Sequence, residues 1–114
     1  MGYVASGLEL SGFRNINVVE LQDLLAQKLI RMVDVRTDLE ISRGFIQGAV
    51  RLPLHLLPMR LHEFDSALPI VFYCQLGGRS AQAAAFAVAQ GFTEVYNLQG
   101  GIRAWVQAGQ PLSQ

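Results

Sequence analysis

Ile70, Val71, Phe72, Tyr73 and Cys74, followed by Gln75, Leu76, Gly77, Gly78, Arg79 and Ser80, decide how this chain folds. The first five are an unbroken apolar run between Pro69 and a glycine pair, the pattern of a central strand buried on both faces. The glycines then make a turn, and Ser80 to Gln90 is an alanine-rich helix stopped by Gly91. Downstream, Glu94 to Asn97 reads as a last short strand. Gly100 and Gly101 open a final helix carrying Ile102, Trp105 and Val106, which Gly109 and Pro111 end. Upstream, Asn17 with Glu20 is a capping box, and Val18, Leu21, Leu24, Leu25 and Leu29 recur at helical spacing, which predicts a helix over Val18 to Lys28. Arg31 to Val35 reads as a buried strand. Thr37 with Glu40 is a second capping box closed by Gly44, and Gly48 to Leu52 leads into a brief strand stopped by Pro53. Leu54 to Phe64 is helical in period but holds Pro58, which predicts two short turns.

Strands alternating with helices at this spacing imply an α/β fold: a small, mostly parallel sheet with helices on both faces. In such sheets ligands bind beyond the carboxyl ends of the strands, where Cys74 stands. With 114 residues the chain is one domain's worth, assigned here to residues 14–114, with residues 1–13 expected as a flexible leader.

Composition narrows the function classes. Nine Lys plus Arg balance nine Asp plus Glu, and no basic cluster provides the footprint that nucleic acid or an anionic membrane requires. Hydrophobic residues are 51% of the chain, which excludes disorder. The longest apolar run, Ala83 to Ala89, is far below the roughly 20 residues of a membrane span. The N-terminus has neither the basic head nor the apolar core of a secretory signal, so a cytoplasmic location is expected. The single cysteine excludes an intrachain disulfide and a multi-cysteine metal site. His55 and His62 read as surface residues, and no metal is expected.

A lone cysteine is more often an inert core residue than a nucleophile. The loop after Cys74 reverses that reading. A glycine-bearing turn from a strand end into a helix start points successive backbone N–H groups inward and forms an anion nest. If the anion is the sulfur of Cys74, those groups, the helix dipole and the guanidinium of Arg79 all favour thiolate over thiol. A persulfide on Cys74 would be stabilised by the same cradle.

Five segments in order over residues 17 to 112 resemble the rhodanese-like family. Val33, Asp34, Val35 and Arg36 with Glu40 resemble its D-V-R-x-x-x-E signature, and Gly44 to Val50 its G-H-I-x-G-A segment. The Cys74 loop, Gly91 to Leu98, and the closing Gly100, Gly101 and Trp105 complete the set. The resemblance implies a three-layer fold and a sulfurtransferase. Cys74 would accept a sulfane sulfur from a small donor such as thiosulfate, hold it as a covalent cysteine persulfide, and pass it to cyanide, a thiol or a sulfur-carrier protein. No metal or organic cofactor is implied. On this reading Gln75, Leu76, Gly77, Gly78, Arg79 and Ser80 form the persulfide-binding loop, with Arg79 orienting the donor. Asp34, Arg36 and Glu40 are structural support, with Arg36 and Glu40 close enough to pair across one turn. Phe45 and Gln47 stand where the family usually has His and often Pro, which implies altered packing or polarity at the site's edge.

Two other functions compete. The fold also serves phosphatase and arsenate-reductase oxyanion enzymes, but their loop has five residues between cysteine and arginine, whereas four separate Cys74 from Arg79. A noncatalytic docking module is the other, and the retained Cys74 within an intact loop weighs against it.

Overall fold

The computed structural model describes residues 12–27 and 30–114. Five strands, β1 (Arg14–Ile16), β2 (Arg31–Asp34), β3 (Val50–Arg51), β4 (Ile70–Tyr73) and β5 (Val95–Leu98), form one sheet in the order β1-β5-β4-β2-β3. Every pairing is parallel. The helices are α1 (Val18–Gln27), α2 (Asp38–Ile41), α3 (Leu57–Arg60), α4 (Gly78–Ala89) and α5 (Gly101–Gln107). The expected α/β architecture, a parallel sheet with helices on both faces, is the observed one.

All four residues of β4 are fully buried, and alternate side chains enter opposite cores. Ile70, Phe72 and Cys74 join Val33, Val35, Ala83, Ala84 and Ala87 on the α4 face. Val71 and Tyr73 join Ile16, Leu21, Ile102 and Trp105 on the face covered by α1 and α5. Burying side chains of this size contributes about 1.5 to 3 kcal/mol each, so the central strand anchors both layers. The alanines of α4 let that helix pack closely against the strand that carries the cysteine.

Both predicted capping boxes form. Asn17 Oδ1 accepts from the Glu20 N–H at 2.8 Å while Glu20 Oε1 accepts from the Asn17 N–H at 2.9 Å. Thr37 and Glu40 cap α2 in the same reciprocal way. Several boundaries differ from expectation. The α4 helix starts at Gly78, two residues before Ser80, because left-handed Gly77 caps it. Leu54 to Glu63 makes three short turns, with Pro58 seated in the first turn of α3, where its missing N–H costs nothing. Strand β1 carried no sequence pattern and pairs with the last strand, β5. Of the expected leader, residues 1–11 lie outside the described residues, as do Lys28, the last residue of the first predicted helix, and Leu29 after it. Phe13 is buried and belongs to the core on the α4 face. Among the described residues no helix is long and apolar enough to cross a membrane.

Candidate active site

Cys74 follows β4 directly, at the carboxyl edge of the sheet, and its side chain is 1% exposed. The turn that follows folds back over the sulfur. Gly77, at a φ of +113°, aims its N–H at Cys74 Sγ from 3.1 Å. One helical turn later the N–H of Ser80 reaches the same atom at 3.4 Å, and the Ser80 hydroxyl lies 3.3 Å away. Burial pushes the Cys74 thiol up, but hydrogen bonds from the Ser80 hydroxyl and from the N–H groups of Ser80, Gly77 and Leu76 outweigh it. The thiol therefore titrates below its ordinary value. Leu76 itself points outward, 60% exposed. From beneath, the N–H of Ile102 donates to the Cys74 carbonyl at 2.9 Å and that of Arg103 to the Gln75 carbonyl at 3.2 Å. The loop is thus held by the last helix as well as by its own turn.

Ser80 has one hydroxyl proton and two neighbours for it. Its oxygen lies 2.5 Å from Asn97 Oδ1, and Asn97 directs its Nδ2 to Asn15 Oδ1 at 2.9 Å and to the Gly77 carbonyl at 3.4 Å. The amide oxygen therefore faces Ser80 as an acceptor. A neutral thiol leaves the Ser80 proton to Asn97, whereas a thiolate draws it to the sulfur. Asn97 is 4% exposed and paired in register with Phe72, which brings it to Ser80 beside Cys74. Sequence reading missed it. Its only signal is a lone amide between Val95, Tyr96 and Leu98 in an otherwise buried strand. Ser80→Ala is expected to raise the pH midpoint of Cys74 alkylation by iodoacetamide by about one pH unit, the scale of one hydrogen bond to a charged group. An unchanged midpoint would show that the hydroxyl stays with Asn97 in both states.

The three charged residues expected as support occupy two places. Asp34 and Arg36 are buried together, with Arg36 Nη2 2.8 Å from Asp34 Oδ2 and Nε 3.0 Å from Oδ1. Arg36 Nη2 also donates to the Gly44 carbonyl at 2.8 Å, and Nη1 approaches Gln75 Oε1 at 3.4 Å. This satisfied pair ties the β2 end to the loop. The expected pairing of Arg36 with Glu40 does not occur. Arg36 is taken by Asp34, and reaches only the Glu40 backbone carbonyl, at 3.5 Å. The Glu40 carboxylate instead grips Arg79 with two parallel bonds, Nη1 to Oε1 at 2.7 Å and Nη2 to Oε2 at 2.8 Å. The Arg79 guanidinium, with Thr37 assisting, holds the Glu40 carboxyl down at about 2 despite some burial. The clamp is therefore ionised throughout the neutral range, and it ties Arg79 to α2. Phe45 is half-buried and bridges backbone to backbone with Ser113, its N–H donating to the Ser113 carbonyl at 3.0 Å.

A buried sulfur that accepts from two inward N–H groups and a hydroxyl is an environment that can stabilise a thiolate. The protein is similar to named proteins in sequence and in structure. It is 45% identical to a sulfurtransferase of Allochromatium vinosum over 73% of this chain and 78% of that protein. It is 33% identical to the thiosulfate sulfurtransferase GlpE of Shewanella oneidensis over 87% of this chain and 98% of the relative. A crystal structure of a rhodanese-related protein from Thermoplasma volcanium superposes with a TM-score of 0.80 at 27% identity, covering 89% of this chain and 98% of that one. A Rhodopseudomonas palustris protein, described as a possible tyrosine phosphatase, superposes at 0.77 and 26% identity over 99% and 98%. The Rhodanese-like domain model matches residues 17–108, which take in every strand but β1 and the whole Cys74 loop, and the chain belongs to the rhodanese-like family.

Proposed function

We propose that the chain is a sulfurtransferase with Cys74 as its nucleophile. The observation that carries this is the convergence of the Gly77 N–H, the Ser80 N–H and the Ser80 hydroxyl on Cys74 Sγ. The Cys74 thiolate attacks the outer, sulfane sulfur of thiosulfate. The bond from that sulfur to the sulfonate sulfur breaks, sulfite leaves with the electron pair, and Cys74 keeps a persulfide. A thiophilic acceptor then attacks the outer sulfur, and the pair of the S–S bond returns to the Cys74 thiolate. Neither step needs a metal or an organic cofactor. Gln75 to Ser80 cradle the persulfide, and Arg79, held by Glu40, faces the sulfonate. The similar proteins named as sulfurtransferases support this reading.

An oxyanion hydrolase is the second reading, favoured by the similarity to the possible tyrosine phosphatase. Loop length weighs against it, since four residues between Cys74 and Arg79 make a ring that fits one sulfur atom better than a phosphate group. Steady-state assay separates the two. The reduced protein should form thiocyanate from thiosulfate and cyanide with ping-pong kinetics, and should leave aryl phosphates intact. Phosphate release at a comparable rate without thiocyanate would overturn the sulfurtransferase reading.

A further inference from the structure

A cavity of about 540 Å³ opens beside the Cys74 loop, bounded on the loop side by Gln75 and on the α5 side by Ile102, Arg103 and Val106. That volume suits a small organic molecule and exceeds what a single inorganic anion fills. Three charged side chains besides Arg103 line it: Arg36, Glu40 and Arg43. Arg36 is neutralised by Asp34, and Glu40 by Arg79. Arg43 and Arg103 line the cavity and have no acidic partner among the described residues. The cavity therefore carries two uncompensated guanidinium groups. The same lining has apolar residues: Ile102, which is buried, Val106, which is 49% exposed, and Leu112.

We propose that this cavity binds the sulfur acceptor, a low-molecular-weight thiol bearing carboxylates on a short aliphatic frame, and that Arg43 and Arg103 read those carboxylates. The proposal rests on the sulfurtransferase reading and names the acceptor class for the same site. Guanidinium forks match carboxylates bidentately, and the hydrocarbon frame covers Val106 and Leu112. Gln75, the residue after Cys74, lines the cavity and brings it next to the loop, where the thiol would meet the persulfide. The acceptor thiolate attacks the outer persulfide sulfur, which keeps its proton. A new S–S bond forms on the acceptor, the bond to Cys74 Sγ breaks, and its pair restores the Cys74 thiolate. No net oxidant is required.

The test compares three acceptors with thiosulfate as donor, on the native protein and on Arg43→Gln/Arg103→Gln: mercaptosuccinate, its diethyl ester, and cyanide. The double variant should raise the KM for mercaptosuccinate about tenfold, the scale of losing exposed guanidinium–carboxylate contacts. Cyanide and diester kinetics should stay at native values, which also shows that the variant folds. Equal KM for mercaptosuccinate on both proteins would overturn the proposal. So would equal weakening with cyanide, which would assign the arginines to the donor. Absence of thiocyanate from the native protein would instead be the failure of the sulfurtransferase reading itself, and the acceptor proposal would fall with it.

Discussion

Cys74→Ala should lower thiocyanate formation from thiosulfate and cyanide by at least about three orders of magnitude, because no other group can carry the covalent sulfur. Among the described residues there is no second thiol, and the chain has one cysteine in all. Fold should survive the change. The alanine methyl fits where Sγ lies, and the main loss is the set of bonds from Gly77 and Ser80, worth no more than about 2 kcal/mol together. Urea unfolding of the variant therefore checks that lost turnover reflects lost chemistry. A variant that folds normally and keeps even about a tenth of native turnover would remove Cys74 from the reaction.

Gly101→Ala should have the largest effect on stability. At φ +61° this residue is in the left-handed region, where a side chain costs about 1 to 2 kcal/mol. Its position is worse than its conformation. A Cβ there would lie 2.5 Å from the Cys74 carbonyl oxygen and still closer to that of Gln75. Both obstacles are backbone atoms, and they are the same carbonyls that accept from Ile102 and Arg103. To admit the methyl group, α5 must lift from the loop and give up those two bonds. Strain, overpacking and lost hydrogen bonds together amount to about 3 to 5 kcal/mol, a large share of a domain's stability. Chemical denaturation should show a midpoint far below native, or no folded baseline. A shift under about 1 kcal/mol would mean that α5 is not wedged against the loop, since ordinary surface substitutions stay within that range.

The readable parts of this fold were those set by near neighbours in the chain. The run from Ile70 to Cys74 announces a strand covered on both sides, and both capping boxes follow from residues three apart whose side chains reach each other's backbone. The loop's glycines and Ser80 were legible for the same reason. Strand β1 was not, because three residues with two of them exposed carry no period, and only β5, far along the chain, makes them a strand. The partner of Glu40 was misread on the same ground. Arg36 is four residues away and looks like the natural mate, yet the chain bends so that Asp34 captures it, leaving Glu40 for Arg79, 39 residues on. Asn97 became part of the site only through strand register, which sets it beside Phe72 and against Ser80. Each miss is a contact made by the sheet order, which local pattern does not encode.

That network gives the site its logic. The sulfur is buried, yet the hydrogen bonds it accepts from Ser80 and Gly77 draw the thiol below its ordinary value. The loop arginine, Arg79, is held still by a Glu40 carboxylate that stays charged. The sharpest measurement of this account is the intact mass of the reduced protein after exposure to thiosulfate and removal of the excess. The account predicts a gain of one sulfur atom on Cys74, removed by cyanide with release of one thiocyanate. Native protein that gains no sulfur, or Cys74→Ala that gains it equally, would contradict it.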